Sequence, residues 1–154
     1  MYLNVLLLFL SLFVFTGYLL FISVRYGRLE SISASFYALP ERHRYVFTLA
    51  LWGFAMPVMM ASTSAFQFLA GAGICFVGAA AAYKEELTNT VHYAGAVSGI
   101  VFGMIHLVIV GLWYMAAIYG LFFVLALLKS KRPVFWVEVV AFYIIVVSLI
   151  VKSL

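Results

Sequence analysis

The residues that could do chemistry are an acidic and an imidazole side chain within long apolar stretches. His92 begins one stretch, and Glu138 lies five residues after Pro133, about one and a half turns into another. Both are predicted at the same end of the molecule, where Ser31 and Ser33 could fold over them. A carboxylate beside an imidazole can bind a divalent metal ion, relay a proton or act as acid and base.

Glu85 and Glu86 are further candidate metal ligands, together with His92 and Glu138. The alternative for Glu138 is an ion pair with a basic residue of 129–132, or a favourable position near the start of a helix. The chain has no HExxH, HxxxH or G-x-S-x-G motif and no Walker-type loop. Spacing alone therefore assigns no reaction.

Gln67 and His106 are a second pair of polar residues, predicted at the opposite end. Their distances from the centres of their predicted helices match, so we expect a hydrogen bond between them. Buried polar groups in helical bundles usually hold helices together, and we interpret this pair as mainly structural.

The segment 92–106 places its small residues on one side of a helix. At about 100° per residue, Gly95, Gly99 and Gly103 fall with both histidines within an arc of roughly 80°. Such GxxxG spacing lets helices approach until their backbones touch. We expect this face to pack within the chain, against a stripe of small residues in the preceding helix, rather than against a second copy. That stripe consists of Gln67, Gly71, Cys75, Gly78 and Ala82.

The elements that position these residues follow from the composition. Of the 154 residues, 68% are hydrophobic and 9% are charged, whereas soluble domains are about 45–50% apolar and about a quarter charged. No segment resembles a linker, so residues 1–154 are predicted to form one all-α domain of a polytopic membrane protein. The N-terminal stretch lacks the marks of a cleaved signal peptide and is expected to remain as the first span.

Apolar runs of membrane-crossing length, with breaks at turn residues, predict a bundle of six transmembrane helices. The run from 46 to 82 would extend about 55 Å as one helix, so it must fold back near Pro57 or residues 62–64. Pro133 is expected at the first position of the last helix. The predicted spans are 2–24, 45–61, 64–83, 92–110, 113–129 and 133–151.

The distribution of positive charge predicts the orientation. Eight of the nine Lys and Arg residues lie in the segments 25–44, 84–91 and 129–132, and Lys152 alone lies on the other side. Because basic loops remain in the cytoplasm, both termini are predicted on the non-cytoplasmic side of the inner membrane. This charge is explained by topology, so we expect no nucleic acid among the partners.

Three segments carry a resemblance to known proteins: Ser31–Pro40, Ile74–Ala80 and Val91–Ala96. With them the chain resembles small multi-pass membrane proteins of unknown function from gut bacteria and their phages. The resemblance implies a multi-pass topology and a bacterial or phage setting, and it implies no particular activity.

A more distant resemblance is to the membrane hydrolases related to ceramidases and adiponectin receptors. These place serine, acidic and histidine residues around zinc near one membrane face. Ser31 or Ser33, a glutamate and His92 could imitate part of that set. The chain departs from this group because six spans are predicted instead of seven, and the sixth has no histidine.

The sequence therefore favours a non-enzymatic accessory or small-solute-handling protein of the inner membrane, with the lipid bilayer as its environment. One alternative is a metal-dependent membrane hydrolase with a cytoplasm-facing Ser/Glu/His site and a divalent metal ion as cofactor. The other is a homo-oligomeric pore.

Overall fold

The computed structural model describes residues 2–80 and 87–154, with side chains described from residue 90 onward in the second range. Within these ranges the chain is all helical and contains no strand. Long apolar segments favour helices because a helix satisfies its backbone N–H and C=O groups internally. The elements are α1 (Tyr2–Tyr26), α2 (Ala34–Ala38), a 3₁₀ helix (Glu41–His43), α3 (Tyr45–Met60), α4 (Ala65–Ala80), α5 (Leu87–Ile109), α6 (Trp113–Lys129) and α7 (Pro133–Ser153).

Turn residues mark several helix ends. Gly111 has φ +85° in the turn between α5 and α6, where the sequence predicts one, and Gly27 has φ +71° just after α1. Both conformations favour glycine because a Cβ atom is disfavoured at positive φ. Pro133 occupies the start of α7 as expected. The predicted break at residues 62–64 is present, because α3 ends at Met60 and α4 begins at Ala65, and Pro57 lies in the last turn of α3.

Among the described residues, three helices are long and apolar enough to cross a membrane: α1, the Thr90–Ile109 part of α5, and α7. The shorter helices α4 and α6 are also apolar. Large apolar side chains such as Phe13 and Leu128 are more than 70% exposed on the outside of the bundle. Apolar surface of this kind marks contact with lipid or with another protein.

An aromatic cluster joins α1, α3 and α7 at the centre of the core. The ring centroid of Phe15 lies 5.1 Å from that of Phe54 and 4.8 Å from that of Phe142, and the latter two lie 5.0 Å apart. Ser11 is buried beside them and donates a hydrogen bond to the Phe54 carbonyl, at 2.7 Å. The hydroxyl is thereby satisfied within apolar surroundings.

The backbones of α4 and α5 approach closely at glycine. A Cβ atom on Gly73 would lie 2.7 Å from both the Gly95 carbonyl oxygen and the Gly99 amide nitrogen. A Cβ atom on Gly95 would lie 2.7 Å from the Gly73 carbonyl oxygen. The predicted α5 face therefore packs on α4 at Gly95 and Gly99. Farther along, the space beside Gly103 is occupied by Ile145 of α7.

The stripe of small residues on α4 was predicted to pack on α5, and this prediction is wrong: the stripe faces α3. Gly71 faces Met59 of α3, and Gly78 faces Trp52 of the same helix. The surface of α4 that meets α5 instead carries Gly73, which does not belong to that stripe. The helix has small residues on two sides, so stripe spacing could not identify which side meets α5. Ala82, at the end of the predicted stripe, lies outside the described residues.

Candidate functional site

A segment that follows α1 covers one end of the bundle; we call residues 28–39 the cover segment. It contains α2 and is anchored by buried apolar side chains, among them Ile32 and Leu39. Ser35 is also buried, donates a hydrogen bond to the Ile32 carbonyl and is bonded to the Tyr18 hydroxyl, both at 2.5 Å. Ser31 accepts a hydrogen bond from the Ala34 amide, at 3.0 Å. These serines therefore shape the segment itself.

The cover segment is bonded to the first turns of α7. The Phe135 amide donates to the Glu30 carbonyl oxygen at 3.1 Å. This amide belongs to the first turn of a helix, where N–H groups have no partner within the helix. On the surface, Arg132 Nε lies 3.7 Å from a carboxylate oxygen of Glu30, whose side chain is 79% exposed. Among the described residues, no basic residue of 129–132 forms an ion pair with Glu138, so that alternative for Glu138 is not supported. Glu138 does lie in the second turn of α7, as the other alternative requires.

Glu138 makes a further, partly buried contact between α7 and the cover segment. Its Oε2 atom accepts a hydrogen bond from the Ile32 amide, at 2.6 Å. The predicted folding of the 31–35 segment over Glu138 is therefore present, but a backbone N–H makes the contact instead of a serine hydroxyl. Because every residue except proline has a backbone N–H, the sequence could not indicate that Ile32 would donate to Glu138.

The Glu138 carboxylate faces a small apolar cavity between the helices. The cavity has a volume of about 10 Å³, close to what one water molecule needs. Among the residues described, no cationic group lies within ion-pair distance of Glu138. An ionised carboxylate in such surroundings costs several kcal/mol unless it is paired. The cavity is lined by Ile32, Ser33, Leu51, Ile74, Val77, Ala96, Ile100, Glu138 and Phe142.

His92 lies near this cavity without joining Glu138. Its half-buried ring is within hydrogen-bonding reach of the Val77 backbone and packs edge-on against Tyr93, with ring centroids 5.8 Å apart. No hydrogen bond or ion pair connects His92 with Glu138 in the part of the chain that the structure describes. Val77 is thus adjacent to both side chains.

The described residues do not fit a zinc site of the kind that the hydrolase resemblance implies. Within 2–80 and 87–154 there is no group of three or more His, Cys, Asp or Glu residues able to hold a metal ion. Ser31 is engaged by the backbone of its own segment. Glu85 and Glu86, the other predicted ligands, lie outside the described residues. The metal site stays a prediction.

At the other end of the bundle, the predicted hydrogen bond between Gln67 and His106 is not formed. Ser64 connects them instead, because its Oγ lies 2.7 Å from His106 Nδ1 and accepts a hydrogen bond from the Gln67 amide at 3.2 Å. The Gln67 side chain donates to the carbonyls of Val58 and Ala61. Gln67 and His106 are 2% and 1% exposed. Gln67 and His106 still connect α3, α4 and α5, but they do so through Ser64 and the α3 carbonyls instead of through each other.

Ser64 could have been found from the sequence. A serine followed three residues later by glutamine, ahead of an apolar run, is the signature of a capping box at the start of a helix. Ser64 and Gln67 have this spacing directly before α4. The Gln67 Oε1 atom accepts a hydrogen bond from the Thr63 amide, at 3.1 Å, one residue away from the usual partner.

Comparison with protein-family models, curated proteins and solved structures finds no match to this chain. The resemblances drawn from the sequence therefore stay predictions. The function proposed below depends on the chemistry and placement of the described side chains.

Proposed function

We propose that this chain is a six-span protein of the inner membrane that handles a small cationic solute at Glu138, under the cover segment. Helices occupy the six apolar segments, and three of them are long and apolar enough to span a membrane. The shorter helices complete the proposed set of spans. Both termini lie on the non-cytoplasmic side in this arrangement.

The observation that carries the proposal is the environment of the Glu138 carboxylate. Among the described residues, its one hydrogen-bond donor is the Ile32 amide, and the other described residues that line its cavity are apolar apart from Ser33. A carboxylate within a spanning helix costs a few kcal/mol, and such residues usually mark a path for ions or solutes. A bound cation would offset that cost.

The size of the cavity limits the solute. Space for about one water molecule suits a monovalent inorganic cation or a small ammonium ion. Larger organic cations would require the cover segment to move away from α7. The site lies under the cover segment, at the end of the bundle that carries the basic segments 25–44 and 129–132, which is the cytoplasmic end in the proposed topology.

The test is charge movement in proteoliposomes adsorbed on a solid-supported membrane, after concentration jumps of Na⁺, K⁺ or methylammonium. We expect a transient current with at least one of these ions in the wild type. Glu138→Gln keeps a hydrogen-bond acceptor for Ile32 but removes the charge, so the current is lost. Glu30→Gln is the matched control, because this exposed carboxylate lies at the same end and its removal leaves the current unchanged.

Two results would contradict the proposal: no current with any of the three ions, or an unchanged current in Glu138→Gln. The metal-dependent hydrolase and the homo-oligomeric pore stay predictions from the sequence. No geometry among the described residues favours either over a cation site.

A further inference from the structure

A second cavity lies on the outer side of α3, away from Glu138. We call it the α3 groove. Its volume is about 460 Å³, within the range of about 300–1,000 Å³ typical of small-molecule sites. It begins beside α2 and the 3₁₀ helix and continues along α3. Its lining residues are Phe36, Glu41, Arg44, Tyr45, Thr48, Leu49 and Trp52.

Arg44 supplies a cation with an unsatisfied donor at one end of the groove. Its guanidinium carbon lies 5.2 Å from the centroid of the Phe36 ring, which fixes the group in a cation–π contact. Its Nε atom is buried without a hydrogen-bond partner, and it is the one side-chain nitrogen or oxygen in that condition among the described residues. Buried donors are normally paired, so this atom indicates a missing acceptor.

Apart from Glu41 and the Tyr45 hydroxyl, both near Arg44 in the chain, the rest of the groove is mostly apolar. Thr48 and Trp52 turn their polar atoms inward, where they donate to the carbonyls of Gly78 and Cys75 at 2.9 and 3.0 Å. Their remaining atoms and the exposed Leu49 side chain form the wall along α3. From Arg44 to Trp52 the helix rises about 12 Å. One end of the groove thus carries Arg44 with Glu41 at its rim, and the wall along α3 is apolar.

We propose that the α3 groove binds an anionic phospholipid, with its phosphate on Arg44 and an acyl chain along Leu49 and Trp52. Arginine recognises phosphate through paired N–H donors, and the start of a helix favours an anion. Arg44 lies where the chain enters α3, at the headgroup level of the proposed topology. Glu41 is exposed at the rim and is not a free charge.

This inference depends on the membrane placement proposed above but not on the role of Glu138. A zwitterionic lipid or a free phosphate would match only one of the two features of the groove, the Arg44 cation or the apolar wall. A zwitterionic headgroup adds a positive charge beside Arg44, and a free phosphate leaves the apolar wall unfilled. An anionic phospholipid supplies a phosphate for Arg44 and an acyl chain for the apolar wall.

The test uses Trp52 fluorescence, with Trp113 and Trp136 replaced by Phe. The protein is reconstituted in phosphatidylcholine vesicles that contain equal fractions of either brominated phosphatidylglycerol or brominated phosphatidylcholine. We expect stronger quenching by phosphatidylglycerol, corresponding to about a tenfold higher relative affinity, because a charged hydrogen bond is involved. Glycerol phosphate at millimolar concentration should not reverse the quenching.

Arg44→Gln should bring the two lipids to equal quenching. Arg42→Gln is the matched control, because Arg42 is exposed two residues earlier and does not line the groove. Its preference for phosphatidylglycerol should equal that of the parent protein. Equal quenching by the two lipids in the parent protein, or an unchanged preference in Arg44→Gln, overturns the inference.

The outcomes separate this inference from the membrane placement. If the chain does not insert, brominated phosphatidylcholine will leave the fluorescence of Trp52 unchanged. If it inserts without a specific site, both lipids will quench equally. Should Arg44→Gln fail to fold, equal quenching by the two lipids in the parent protein still overturns the inference.

Discussion

At the scale of single residues, backbone groups determine the partners of the buried polar side chains. Glu138 accepts from the Ile32 amide, and Gln67 donates to two carbonyls near the end of α3. Sequence reasoning pairs side chains with side chains, so it could place these residues at the correct ends of the bundle but could not identify their partners. Ser64 is the exception, because its spacing from Gln67 is itself a capping signal.

Ser64→Ala should destabilise the bundle by about 2–4 kcal/mol. The change removes the cap of α4, worth about 1 kcal/mol, and leaves a ring nitrogen of the buried His106 unpaired, which costs about 1–3 kcal/mol. Equilibrium unfolding in mixed detergent micelles measures the loss.

Ser62→Ala is the control for this prediction, because Ser62 lies in the same turn and its hydroxyl makes no hydrogen bond among the described residues. It should change the free energy of unfolding by less than about 0.5 kcal/mol. Equal stability of the two variants would show that the contact between Ser64 and His106 contributes nothing.

At the scale of elements, α4 is the helix that organises its neighbours, because it packs on α3 with one side and on α5 with another. The bounds of the long helices could be predicted closely, since apolar runs, Gly111 and Pro133 mark where they begin and end. The side of α4 that meets each neighbour could not be predicted. Gly71 lies against α3 and Gly73 lies against α5, and glycine has no side chain that would tell the two sides apart.

Gly73→Ala should destabilise the protein by about 1–3 kcal/mol, the usual cost of overpacking. The added Cβ would meet backbone atoms of Gly95 and Gly99, which cannot move aside as a flexible side chain can. The midpoint of thermal unfolding in detergent should fall by several degrees.

Gly17→Ala provides the comparison, because a Cβ atom on this α1 glycine would have nothing within 4 Å. Alanine also favours the helix over glycine by about 1 kcal/mol. This variant should therefore be at least as stable as the wild type. A Gly73→Ala protein as stable as Gly17→Ala would refute the close approach of α4 and α5.

At the scale of the whole molecule, the cover segment brings two basic loops to one end of the bundle. Arg28 stacks over Trp136, with 5.5 Å between the guanidinium carbon and the ring centroid, and Arg132 lies beside Glu30. The segments 25–44 and 129–132 are therefore neighbours, which supports their proposed location on the same side of the membrane. Lys84, in the third basic segment, lies outside the described residues.

This arrangement predicts the result of reporter fusions. Alkaline phosphatase attached after Leu154 should be active, because that terminus is expected outside the cytoplasm, and a fluorescent protein at the same position should be dark. After Ser130, which is expected in the cytoplasm, the phosphatase fusion should be inactive and the fluorescent-protein fusion should be bright. Cytoplasmic fluorescence from the Leu154 fusion would require an odd number of spans or the reverse orientation.

The hydrogen bond between Ile32 and Glu138 joins residues that are 106 positions apart in the chain. A ribosome adding about 5–20 residues per second needs roughly 5–20 s to pass from one to the other. During that interval the first loop has been made but its acceptor does not yet exist. The loop can form this hydrogen bond only after the turn of α7 that carries Glu138 has been translated, so the cover segment reaches its final position late in synthesis.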